Sequence, residues 1–144
     1  MRKLILIVDD EFIILESLRI QLERFLPDEI EIETAHSGSE AAEVLEDIAE
    51  KGHQLLLVIS DHNLGDIKGT EVLLRVKQLF PKTPRILLSG QAGTDKEMET
   101  YTNEKNLDLY ITKPWEIEEL KSRIENFTGW FRRQHTAAFF SHWR

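Results

Sequence analysis

Leu55-Leu56-Leu57-Val58-Ile59 runs directly into Ser60-Asp61-His62-Asn63. Five consecutive apolar residues, short and rich in branched side chains, describe a strand covered on both faces. A half-exposed strand would alternate. The abrupt change to hydroxyl, carboxylate, imidazole and amide marks the strand's carboxyl end. Two further runs have the same form. Leu4 to Val8 leads into Asp9-Asp10-Glu11, and Ile86 to Leu88 leads into Ser89-Gly90. Glu31-Ile32-Glu33 and Leu107-Asp108-Leu109 alternate instead, as edge strands with one wetter face do.

Helical periods separate these runs. Ile14, Leu15, Leu18, Leu22, Phe25 and Leu26 form a stripe stopped by Pro27. Ser37-Gly38-Ser39-Glu40 has capping-box spacing ahead of Ala41, Val44, Leu45 and Ile48, with Gly52 as the stop. Val72, Leu73, Val76, Leu79 and Phe80 form a third stripe that ends at Pro81. Thr94 to Glu97 opens a fourth helix whose large apolar residues are only Met98 and Tyr101, so it should be weakly anchored. A last helix runs from about Glu116 with Ile117, Leu120, Ile124 and Phe127 on one face. Five strands, each followed by a helix over short connections, imply a parallel α/β sheet wound on both sides by right-handed crossovers.

At 144 residues and 41% hydrophobic content the chain supports one compact domain. It has no cysteine, which excludes disulfides and thiolate chemistry and fits a reducing, cytoplasmic setting. Its longest apolar runs are far shorter than a bilayer span, so no membrane span is expected. With 26 acidic against 18 basic residues, most of the surface repels phosphate backbones, and direct nucleic-acid binding is not expected. The charge is uneven, however. No acid follows Asn126, while Arg132, Arg133 and Arg144 lie in a tail rich in aromatics.

Sheets of this kind place their chemistry at the carboxyl ends of the strands. There the sequence supplies Asp9-Asp10-Glu11, Ser60-Asp61-His62-Asn63, Ser89-Gly90 and Thr112-Lys113-Pro114. Three clustered carboxylates repel unless they are protonated or neutralised by a cation. A hard divalent ion such as Mg²⁺, which prefers oxygen ligands and keeps some of its waters, is the natural remedy.

At these residues the chain resembles the response-regulator receiver domains of two-component signalling systems, the chemotaxis regulator among them. The resemblance covers roughly Lys3 to Phe127. It rests on Val8-Asp9-Asp10, Ile59-Ser60-Asp61-His62-Asn63-Leu64, Gly69, Leu88-Ser89-Gly90 and Ile111-Thr112-Lys113-Pro114 taken in order. It implies a flavodoxin-like five-stranded parallel sheet, order 2-1-3-4-5, with five helices. Asp61 would be the phosphoacceptor and Asp10 a direct Mg²⁺ ligand. Asp9 would act on the metal largely through water and Asn63 through its backbone carbonyl. Ser89 and Lys113 would contact the phosphoryl group, and Lys113-Pro114 would be a cis peptide, an isomer found at only about 5% of X-Pro bonds in folded proteins.

The resemblance also makes Ser89 and Tyr110 a switch pair and places Asn63 and Gln91 where hydrolysis is tuned. Partners would be a histidine kinase or histidine phosphotransfer protein. Output would pass through the face formed by the fourth helix, fifth strand and fifth helix. Such a domain is a phosphoacceptor that catalyses only its own phosphorylation and dephosphorylation. A pseudo-receiver acting as an unphosphorylated interaction module is the alternative, but it usually lacks an acid or the lysine. An Asp-nucleophile phosphatase would carry a second Asp where Asn63 stands. A flavodoxin-like cofactor site would not place Asp9-Asp10-Glu11 against phosphate without a metal.

Departures from the pattern are local. Gly65 stands where many members have proline, and Asn103 to Asp108 is polar and longer than usual. His36, His53, His135 and His142 lack zinc spacing, and His62 is expected to be an exposed neighbour of the acceptor. The receiver should occupy residues 1–127, leaving 128–144 as a basic aromatic tail too short for a complete output domain. Ile117, Leu120, Ile124, Phe127 and Phe131 keep helical spacing into it, although Gly129 interrupts. A helix for homodimerisation or docking, a linker to a longer chain, and a contact with membrane or nucleic acid all fit this segment.

Overall fold

The computed structural model describes residues 1–90 and 107–128, with side chains through Asn126. The expected fourth helix, Gln91, residues 103–106 and the tail from Gly129 lie outside the described residues. The strands are β1 (Lys3–Val8), β2 (Ile30–Ala35), β3 (Gln54–Asp61), β4 (Arg85–Ser89) and β5 (Leu109–Thr112). They form one sheet in the order β2-β1-β3-β4-β5, with every pairing parallel. Helices α1 (Phe12–Glu23), α2 (Gly38–Lys51) and α3 (Gly69–Leu79), together with the C-terminal helix Ile117–Thr128, are the four among the described residues.

The unbroken apolar runs follow from covering the sheet on both sides. Leu4, Leu6 and Val8 face a core shared with Ala41, Leu45 and Ile48 of α2 and Val72, Leu73 and Val76 of α3. Ile5 and Ile7 face the opposite core, with Leu15, Leu18 and Leu22 of α1 and Leu120 and Ile124 of the C-terminal helix. The side-chain period of two therefore persists, but neither phase of it is polar. A register shift interrupts β3, where Leu4 pairs with Leu55 but Ile5 pairs with Leu57. Leu56 is the extra residue, and both it and Leu57 join the α1 side of the core.

Helix ends obey local chemistry. The Ser37 hydroxyl accepts from Glu40 N at 3.0 Å, and Gly52 closes α2 in the left-handed region at φ 69°. The Glu40 side chain turns to His36 at 2.8 Å rather than completing a capping box. Helix α1 stops at Glu23, before Pro27, while Phe25 and Leu26 still pack on its core.

The last strand begins at Leu109 rather than Leu107. Leu107 is instead a buried core residue. Asp108 is taken up by Arg85: its N–H donates to the Arg85 carbonyl at 2.8 Å, and its Oδ2 accepts from Arg85 N at 2.8 Å. The alternation in the sequence was thus a core anchor followed by a side-chain clamp.

Candidate functional site

The sheet register aligns the residues that carry chemistry. Val8 lies opposite Ser60, Asp61 opposite Leu88, and Ser89 opposite Thr112. Asp9, Asp61, Ser89 and Lys113 consequently leave four adjacent strands at the same level. Ligand oxygens of Asp9, Asp10 and Asp61 all lie within 4.8 Å of one another. Asp9 is fully buried and Asp61 is 7% exposed, whereas Asp10 is open to solvent.

Lys113 reaches across the sheet to this cluster. Its Nζ donates to Asp9 Oδ2 at 2.9 Å and lies 2.9 Å from Asp61 Oδ1. Its own N–H donates to the Ser89 carbonyl at 2.7 Å, and the Lys113–Pro114 peptide is cis, as expected. The backbone N–H of His62 donates to Asp61 Oδ1 at 3.0 Å, and that of Glu11 donates to Asp9 Oδ1 at 2.9 Å.

Burial raises the affinity of Asp61 for a proton. The hydrogen bond from Lys113 opposes this shift, and the Asp9 charge reinforces it. Burial alone would lower the affinity of Lys113 for its proton, but hydrogen bonds to Asp9 and Asp61 outweigh it and leave the ammonium strengthened. Lys113 thus pairs with two of the three carboxylates, Asp9 and Asp61, and Asp10 adds a further negative charge beside them. The all-oxygen donor set and the surplus of negative charge suit a hard divalent ion, and the residues fit Mg²⁺ on that ground.

The loop after Asp61 is tightly built. Gly69 N–H donates to the His62 carbonyl at 2.7 Å, and a Cβ on Gly69 would stand 1.9 Å from the Asp61 carbonyl oxygen. Only glycine admits that approach. Gly65 has φ 85°, which proline cannot adopt, so the departure noted in the sequence reshapes the turn. Asn63 spends its side-chain oxygen on Gly65 N–H at 3.1 Å, an Asx turn. Asp66 accepts from Gly38 N and Ser39 N at 2.9 Å each, and these donors hold its carboxyl below the usual range.

Ser89 is buried at the end of β4. Tyr110 is partly buried against the α2–α3 side of the core, in register with Leu87. His62, expected to be exposed, is half-buried because its backbone is drawn between Asp61 and the Leu88 carbonyl. His53 Nδ1 accepts from Arg2 N at 3.1 Å, so neither it nor His36 joins the acid cluster. Gln91 lies outside the described residues. Sequence reasoning missed the Asp66 contact, which joins residues 28 apart and has no local signature.

A doubly wound sheet with an acid cluster and a lysine at its carboxyl ends is the arrangement of a two-component receiver. The model of the response regulator receiver domain matches residues 5–125, and the chain belongs to that family. The chain is 36% identical over 124 residues to the transcriptional regulatory protein YkoG of Bacillus subtilis, covering 83% of this chain and 48% of that one. It is 28% identical over 130 residues to the hydrogenase transcriptional regulatory protein HoxA of Bradyrhizobium diazoefficiens, covering 90% of this chain and 25% of that protein. The chain therefore spans between a quarter and a half of these relatives.

Among solved structures, a CheY-like response regulator receiver domain from Methanospirillum hungatei superimposes with a TM-score of 0.75 at 28% identity, covering 93% of this chain and 99% of that one. The response regulator TrrA of Thermotoga maritima, solved in complex with Mg²⁺-BeF, gives a TM-score of 0.68 at 28% identity, covering 86% and 97% of the two chains. No helix among the described residues is long and apolar enough to cross a membrane.

Proposed function

We propose that this receiver, residues 1–127, accepts a phosphoryl group on Asp61 from a histidine kinase or histidine phosphotransfer protein in a Mg²⁺-dependent reaction. The observation that carries this reading is the Asp61 carboxylate itself. It is buried, and Lys113 Nζ and the His62 N–H both hold its Oδ1. In the transfer the donor's N–P bond breaks, an O–P bond forms on Asp61, and the leaving imidazole takes up a proton. Charge develops on the equatorial oxygens of a loose transition state, so a positioned ammonium is what the protein can best offer. Lys113 supplies it.

Asp10, Asp61 and the Asn63 carbonyl would hold Mg²⁺, with Asp9 acting largely through water. When bound, the ion supplies further positive charge for the phosphoryl oxygens. Asp9 suits an indirect role, since both of its oxygens already accept hydrogen bonds. After transfer, the Ser89 hydroxyl moves toward the new acceptor oxygens and Tyr110 turns into the space behind it. The signal then reaches the face containing β5 and the C-terminal helix. Gln91 and the Asn63 amide influence the water that ends the signal, and Asn63 does so with its oxygen already committed to Gly65.

The donor must approach from the open end of the crevice. Phe12 and Ile13, 68% and 81% exposed directly after Asp9-Asp10-Glu11, form an apolar rim on which it can seat.

The test uses the chain with Mg²⁺ and acetyl phosphate, read by intact mass and repeated with Asp61→Asn and without metal. A single phosphoryl adduct requiring both Asp61 and Mg²⁺ is expected. No adduct from acetyl phosphate or from candidate kinases, together with no Mg²⁺ binding, would establish a pseudo-receiver that works through constitutive contacts.

A further inference from the structure

The loop that carries Asn63 is fixed from two sides. Leu64 is buried in the α2–α3 side of the core, and its N–H donates to the Ile67 carbonyl at 3.2 Å. Asn63 and Lys68 form an isolated bridge across the loop. On the outer side, Asp66 forks over the first turn of α2. Its Oδ1 accepts from Gly38 N and Ile67 N and its Oδ2 from Ser39 N, each at 2.9 Å. Ile67 follows it into the same joint. A Cβ on Gly38 would stand 2.1 Å from Ile67 Cγ1, so α2 begins with a residue that leaves room for the loop. Helix α2 is capped at this end by Ser37 as well, and the structure thus devotes a second capping residue, 28 positions away, to tying two elements together.

We propose that Asp66 is a positioning residue of the metal site: by clamping the loop to the amino end of α2, it holds the Asn63 carbonyl where a divalent ion needs it. The inference rests on the reading of the site given above. Asp66 itself touches neither metal nor phosphoryl group. It acts through Leu64 and Gly65, a stretch whose freedom Gly65, at φ 85°, would otherwise enlarge. Supports of this kind typically affect metal affinity by about tenfold or more.

Two variants separate positioning from simple stabilisation. Asp66→Ala and Ser37→Ala each remove a cap from the same helix end, and both should lower Tm by a few degrees. Only Asp66→Ala releases the loop. Titration calorimetry with Mg²⁺ on the unphosphorylated full chain should show affinity weakened about tenfold in Asp66→Ala and within about twofold of wild type in Ser37→Ala. Asp66→Asn, which keeps one acceptor oxygen, should fall between them. With acetyl phosphate, the Asp66→Ala defect should shrink at saturating Mg²⁺. Mg²⁺ affinity unchanged in Asp66→Ala, or weakened equally in Ser37→Ala, would overturn the inference and leave the site intact. A wild-type chain that binds no Mg²⁺ would overturn the reading of the site itself.

Discussion

The two ends of the sheet handle charge in opposite ways. At the amino end Arg2 donates to Glu31 and Glu33 at 3.0 Å, with all three side chains at least 36% exposed. Two acids there share one guanidinium, but water screens the imbalance and little depends on it. At the carboxyl end Asp9 and Asp61 share Lys113 and are almost wholly withdrawn from solvent, with the exposed Asp10 beside them. The ratio of charges differs little between the ends. Burial makes the difference: the same surplus that is harmless at the surface becomes a demand for a cation, and a source of reactivity, inside a crevice.

Lys113→Ala tests the crevice side of this contrast and should have the largest effect. Removing the ammonium that Asp9 and Asp61 share should slow phosphorylation from acetyl phosphate by about 100-fold or more, even at saturating Mg²⁺. A loss of only a few-fold would mean that the metal alone meets the developing charge and that Lys113 chiefly pairs with Asp9.

How much of this was legible in the sequence depends on distance along the chain. Asp9, Asp61, Ser89 and Lys113 could be placed together because each lies at the carboxyl end of a segment that reads as a strand, and parallel strands bring such ends to one level. The joint between Asp66 and α2 could not, since neither partner's neighbours predict the other. The extra residue at Leu56 is hidden for a related reason, as an all-apolar run shows no break in phase when a bulge shifts it. Leu107-Asp108-Leu109 misled because a buried leucine beside a clamped aspartate copies an edge strand's alternation. The Asn63–Gly65 turn, by contrast, is a contact between residues two apart and follows an ordinary Asx-turn pattern.

A smaller effect is expected on stability. Burial leaves ionised Asp61 disfavoured despite Lys113, so Asp61→Asn should stabilise the metal-free protein at neutral pH. A gain of about 1 kcal/mol, or roughly 3 °C in Tm, is reasonable for relieving a buried like-charge contact. The sign with pH follows from the raised native pKa. Native Asp61 binds its proton more tightly than the unfolded chain does, so its contribution is most favourable at low pH and is lost as pH rises through the native value. The advantage of Asn should therefore shrink as pH falls through that range. Thermal melts of both proteins in chelator across pH would show it. A variant less stable than wild type at neutral pH would mean that the Lys113 pair outweighs desolvation.

The smallest effect should come from the other end. Arg2→Ala removes both exposed ion pairs to β2, yet Tm should move by less than about 3 °C and the phosphorylation rate by less than about twofold. High salt should erase most of whatever shift remains, since the pairs lie in screened solvent. A large, salt-resistant loss would break the comparison. It would mean that the amino-end charges stiffen β1 enough to be felt at Asp9, across the 6 residues of that strand.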